Sequence, residues 1–168
     1  NDDPVRHDVT VDMVYTENPR KKAHLGTVPM PLWGQRFAVD GDGHACVSGE
    51  TDSTDFPLLS PLQDHSAGEL DSYVAKLLPD GSGFVYSTYL GGRGTDINGG
   101  VAVDADGAVY VAGTTDSTNF PLANALQNQI AGGQYDVYVS KLTPAGDALA
   151  YSTFLGGTRQ DFTGFYNS

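Results

Sequence analysis

Two Asp-x-Asp-Gly segments, Asp40-Gly41-Asp42-Gly43 and Asp104-Ala105-Asp106-Gly107, are the clearest candidates for chemistry in this chain. Calcium takes several hard oxygen ligands, and short Asp-rich turns supply them. An EF-hand-like loop also needs further oxygens and a bidentate Glu, and nothing after Gly43 or Gly107 stands at that spacing. A tight hairpin turn, with Asp accepting local N–H bonds and Gly at positive φ, accounts for both segments more simply. Turns are expected, with calcium as the lesser alternative and no other cofactor. Asp52-Ser53-Thr54 and Asp116-Ser117-Thr118 also recur, and their hydroxyls and carboxylates would suit a carbohydrate or a cation. The simpler reading is an Asx or Ser/Thr turn leading into Phe56-Pro57 and Phe120-Pro121.

Catalytic arrangements fare worse. Gly81-Ser82-Gly83 follows Pro79-Asp80 and lacks the strand–elbow–helix setting of a nucleophile motif. His7, His24, His44 and His65 are scattered, with no spacing that suits zinc. Gly91-Gly92-Arg93-Gly94 opens no helix and reads as a linker rather than a phosphate cradle. Cys46 falls in an apolar run and reads as a buried, inert thiol. No catalytic or metal-binding residue is assigned, and a non-enzymatic protein is expected.

These residues must be held by short strands. The chain has 168 residues, with 21 acidic side chains against 9 basic ones and a net charge of −12. Eighteen of the acids are Asp, which favours turns over helices. The acidic balance argues against nucleic acid, whose phosphates need clustered Lys and Arg. No apolar stretch approaches the roughly 20 residues of a spanning helix, so no membrane insertion is expected. The N-terminal Asn1-Asp2-Asp3-Pro4 does not read as a signal peptide.

An internal repeat organises the rest. Val39-Asp40 recurs as Val103-Asp104, and Thr51 to Leu58 recurs as Thr115 to Leu122. Asp71-Ser72-Tyr73-Val74-Ala75-Lys76-Leu77 recurs as Asp136-Val137-Tyr138-Val139-Ser140-Lys141-Leu142. Tyr86-Ser87-Thr88-Tyr89-Leu90-Gly91-Gly92 recurs as Tyr151-Ser152-Thr153-Phe154-Leu155-Gly156-Gly157. Each unit reads as four strands without a long helix. Apolar first strands imply burial on both faces, and Ser-Thr alternation in the fourth implies an exposed outer edge. The fold class is all-β, with propeller-type blades of four antiparallel strands. The expected segments are a degenerate half-repeat over 1–36, blades over 37–99 and 100–157, and an unfinished repeat over 158–168.

The units resemble SBBP repeats, a bacterial β-propeller repeat family. The resemblance rests on Val101-Ala102-Val103-Asp104, Tyr110-Val111-Ala112-Gly113, Ser117-Thr118-Asn119-Phe120-Pro121, Lys141-Leu142 and Tyr151 to Gly157. It implies a propeller fold and an extracellular or cell-surface protein, and it implies no defined activity.

Two sheets are too few to close a propeller, and flanking apolar faces call for a cover. A fragment of a larger polypeptide, a homo-oligomer forming a ring or fibre, or a terminus folded over the face would each supply one. The preferred reading is a module that binds or self-assembles, with Trp33, Phe37, Phe162, Phe165 and Tyr166 as the self-association residues. Pairing of strand edges between copies would supply the hydrogen bonds.

Overall fold

The computed structural model describes residues 36–163. Of the residues proposed for self-association, Trp33, Phe165 and Tyr166 lie outside the described residues. Eight strands follow in order: β1 (Arg36–Val39), β2 (Ala45–Thr51), β3 (Asp71–Leu77), β4 (Phe84–Leu90), β5 (Asp96–Val103), β6 (Val109–Thr115), β7 (Asp136–Leu142) and β8 (Leu149–Leu155). They form two antiparallel sheets, β1-β2-β3-β4 and β5-β6-β7-β8, each a simple meander. No helix occurs among the described residues.

The hairpin turns follow from the sequence. Asp40 and Asp104 each accept amide bonds from two residues of their own turn, and Gly43 and Gly107 take φ of 88° and 81°. A side chain at either glycine would meet left-handed backbone strain. β5 begins at Asp96, earlier than the Gly100 at which its apolar run starts, so residues 91–95 form the link between sheets.

Strand register fixes two distinct faces on each sheet, because side chains alternate. On the first sheet, Cys46, Ser48, Val74, Lys76, Tyr86 and Leu90 share one face, called here the front. On the second sheet, Val109, Val111, Tyr138, Leu142 and Phe154 share the opposite face, the back. The front of the first sheet packs on the back of the second, and these apolar residues make one buried cluster. Phe120 closes that cluster at 4.3 Å from the Tyr138 ring, and Phe56 lies the same way over Tyr73, at 4.4 Å, on the back of the first sheet.

Two expectations from the strand pattern are corrected. The fourth strands are not exposed edges: Ser87, Thr88, Tyr89 and Leu90 are buried, as are Ser152 and Phe154. The segment after each Phe-Pro runs along the edge. Leu59 and Ser87 exchange backbone bonds of 3.3 and 2.9 Å, and Ser87 Oγ donates to the Pro57 carbonyl at 2.7 Å. Ala123 and Ser152 repeat the exchange, with Ser152 Oγ on the Pro121 carbonyl. The hydroxyls that looked solvent-facing thus serve loop carbonyls, and the edge is capped against pairing. Conversely, the first strands are only half-buried, and Phe37 in β1 is 40% exposed. They are edge strands with a partner on one side only.

Leu142 is fully buried in the cluster, whereas Leu126 is 86% exposed. Leu142→Ala should lower unfolding free energy by about 2–5 kcal/mol. Leu126→Ala should change it by no more than about 0.5 kcal/mol. Urea denaturation of both variants checks the pair.

Candidate functional site

The interface between the sheets is a built polar and apolar contact rather than a plain apolar seam. Lys76 enters it from β3, its side chain 5% exposed, and pairs with Asp40 Oδ2 at 2.9 Å. Its ammonium also donates to the Gly107 carbonyl at 3.0 Å, in the hairpin turn of the second sheet. Burial pushes the Asp40 carboxyl upward, but the bonds from Lys76 and His44 outweigh that and hold it down at about 2. Ser72 Oγ and the Tyr138 hydroxyl bond across the seam at 2.7 Å, and Ser48 Oγ donates to Asn98 Oδ1 at 3.0 Å. Gly146, at φ 71°, lies flat on the Tyr86 ring, where a Cβ would come within 2.3 Å of ring carbon. Cys46 is buried here, and loss of solvation pushes its thiol up to about 11, as expected of an inert thiol.

The link between the sheets is held by carboxylates. Asp96 is fully buried; its Oδ2 accepts the Gly92 amide at 2.6 Å and Ser117 Oγ at 3.0 Å, and its Oδ1 accepts Thr115 Oγ1. Asp71, also buried, takes Ser66 Oγ and the Ala67 amide on Oδ2, both at 2.7 Å. Both side chains crowd Gly91, where a Cβ would lie 2.1 Å from Asp71 Oδ1 and 2.7 Å from Asp96 Oδ2. Only glycine admits that approach. Burial raises the Asp96 carboxyl to about 6 against the bonds that lower it, and repulsion from Asp71 adds to the rise.

Asp40, Asp104, Asp116 and Ser117, singled out for chemistry, have structural partners. Both Asp40 oxygens are committed to the turn amides and Lys76, and both Asp104 oxygens to the equivalent amides, Tyr110 and Lys141. Asp42 and Asp106 are exposed. In the second unit the Asp-Ser-Thr loop grips the link: Asp116 Oδ1 accepts the Thr95 amide at 2.6 Å, and Ser117 Oγ the Gly94 amide at 2.8 Å. In the first unit, Asp52 and Thr54 are exposed. No group of three or more His, Cys, Asp and Glu side chains converges on a metal position among the described residues.

Phe37 stands on the back of the first sheet, in register with Val47. Phe162 is 36% exposed, with its ring 5.8 Å from Tyr135, near the end of the described chain. The sequence reading missed Lys76 and Tyr86. Their signal was present: a Lys and a Tyr recur at 141 and 151, at the same places in the third and fourth strands of the second unit.

The front of the second sheet carries similar residues with less cover. Leu90 is fully buried, and its counterpart Leu155, on the front of the second sheet, is 54% exposed. Lys141 pairs with Asp104 at 3.0 Å as Lys76 does with Asp40, but its side chain is 26% exposed. Tyr110, Ala112 and Val139 line a shallow groove of about 250 Å³ on that face.

Because the folded state binds the Asp96 proton more tightly than the unfolded chain does, the stabilisation it gives is complete below the ordinary Asp range. It is lost as pH rises through about 6. Between about pH 4 and pH 7, wild-type stability should fall relative to Asp96→Asn by on the order of 2–3 kcal/mol, measured by urea melts along the pH series.

No curated protein matches the chain. The geometry of repeated four-stranded sheets joined by a Gly-Gly link agrees with the comparison against protein families, in which residues 85–121, from β4 through β6 to Pro121, match the SBBP beta-propeller repeat.

Proposed function

We propose that this chain is a non-enzymatic, extracellular or cell-surface module that acts by binding or self-assembly through the faces of its β-propeller blades. The contrast between Leu90 and Leu155 carries this reading. One copy of the repeat buries its front face on a neighbouring blade, and in the other the counterparts Val139 and Tyr151 are half-buried and Leu155 is exposed. Contiguous apolar surface of this kind marks interaction sites. The non-enzymatic reading is supported by the placement of the buried carboxylates, which hold turns and the linker. The extracellular reading draws on the repeat resemblance and on the acidic surface, which keeps a protein soluble.

A second reading, a carbohydrate- or calcium-binding surface, draws on the first Asp-Ser-Thr loop, where Asp52 and Thr54 face solvent. Partners other than protein are then sugars or cations, and no nucleic acid or membrane insertion is proposed.

Sedimentation velocity over a wide range of protein concentration tests the first reading. We expect a mass that climbs with concentration above the 17.7 kDa of one chain. A constant 17.7 kDa throughout removes self-assembly. Calorimetry with calcium and a glycan panel separates the second reading, since heat lost in Asp52→Ala would place the ligand on that loop.

A further inference from the structure

We infer that the link between the two sheets binds a divalent cation, calcium being the fitting ion, beside the carboxylates of Asp71 and Asp96. The inference concerns the buried link rather than an outward surface, and it rests on neither reading above.

Asp71 opens β3 and Asp96 opens β5, and both are fully buried. Asp71 Oδ2 is committed to Ser66 Oγ and the Ala67 amide, but Asp71 Oδ1 takes no hydrogen bond among the described residues. A charged oxygen buried without a partner is costly, so a native structure calls for something to meet it. No Lys, Arg or His pairs with either carboxylate among the described residues. The two converge at Gly91, where a single point beside the Cα lies 2.1 Å from Asp71 Oδ1 and 2.7 Å from Asp96 Oδ2. Carboxylates this close can share one calcium, which keeps roughly 2.3–2.6 Å to each oxygen ligand. Asp96 Oδ1 takes only the Thr115 hydroxyl and so retains a lone pair. Gln63 Oε1, which accepts the Gly91 amide at 3.1 Å, is a neutral oxygen at the same glycine. Burial first, and Asp71 after it, raise the Asp96 carboxyl to about 6. A proton thus answers the charge only in mild acid, and a cation does so at neutral pH.

The feature recurs at the end of the second sheet. Asp136 is fully buried, and its Oδ1 takes no hydrogen bond among the described residues. It crowds Gly156 as Asp71 crowds Gly91, and Gln127 Oε1 accepts the Gly156 amide at 3.1 Å. Asp161 takes the place of Asp96 but is only half-buried, which leaves that copy the more hydrated of the two. Two carboxylates make a weak site, so half-saturation is expected on the order of 10⁻⁴–10⁻³ M calcium.

Thermal melts of the full chain at neutral pH, in EGTA and across a calcium series, test this. Wild type should melt higher as calcium rises, because the ion binds only the folded link. Asp71→Asn keeps an acceptor for the Ala67 amide and puts a donor where the orphaned oxygen was. It should hold its stability in EGTA and need at least about tenfold more calcium for the same shift. Asp96→Asn gives the same comparison if Asp71→Asn does not fold. Asp52→Ala should respond as wild type does. A wild type that melts alike in EGTA and in millimolar calcium overturns the site, as does Asp71→Asn responding as strongly as wild type. A response lost in Asp52→Ala but kept in Asp71→Asn moves the ion to the exposed loop, overturning the link site and leaving the calcium-binding surface standing.

Discussion

A four-stranded sheet has two faces, and a contact between two sheets covers one face of each. That constraint governs this molecule. The front of the first sheet is covered to the point where Val74, Tyr86 and Leu90 lose all contact with solvent, as do Val109, Val111 and Tyr138 opposite. Burying such side chains is worth about 1.5–3 kcal/mol each. The buried Lys76 is tolerable because it keeps both an anionic partner and a carbonyl, so its charge is never left unpaired. Removing Asp40 would leave a buried ammonium without its counter-ion.

The same constraint explains the polar machinery around the link. Residues 91–95 must turn the chain from the outer strand of one sheet to the first strand of the next, with amides that leave the ladder. Asp96, Ser117, Asp116 and Asn119 accept four of those amides, those of Gly92, Gly94, Thr95 and Arg93. Burial raises the proton affinity of Asp96, with a further rise from the neighbouring Asp71, and the glycine at 91 makes that approach sterically open. The pattern restarts after the second sheet: Gly157 donates to Asp161 Oδ2 at 2.7 Å, much as Gly92 donates to Asp96. The Thr163 amide then bonds Thr114 Oγ1 on the front of the second sheet, so the chain enters over that face.

Much of the strand plan was legible in residue order. The turns at Asp40 and Asp104 formed as their Asp and Gly pattern requires, because those interactions are local. The buried fourth strands were misread, because Ser and Thr alternate there for a reason that lies in another segment. Their hydroxyls bond Pro57 and Pro121 carbonyls thirty-odd residues away, and no local pattern records such a partner. Phe37 and Phe162 were singled out as apolar residues near the ends, and both retain exposure. Lys76 and Tyr86 were passed over because a Lys in a strand reads as solvated until its register with Asp40 and the next turn is known.

By itself the order of residues determined that the chain duplicates a four-stranded unit, where the hairpins turn, and that this unit holds no long helix. Periodicity of two and the chemistry of Asp and Gly act over a few bonds, so they survive in one dimension. Which face of one unit meets which face of the other was decided only in three dimensions. Alternating side chains define two faces without saying which is covered; that is read from the buried cluster between the sheets.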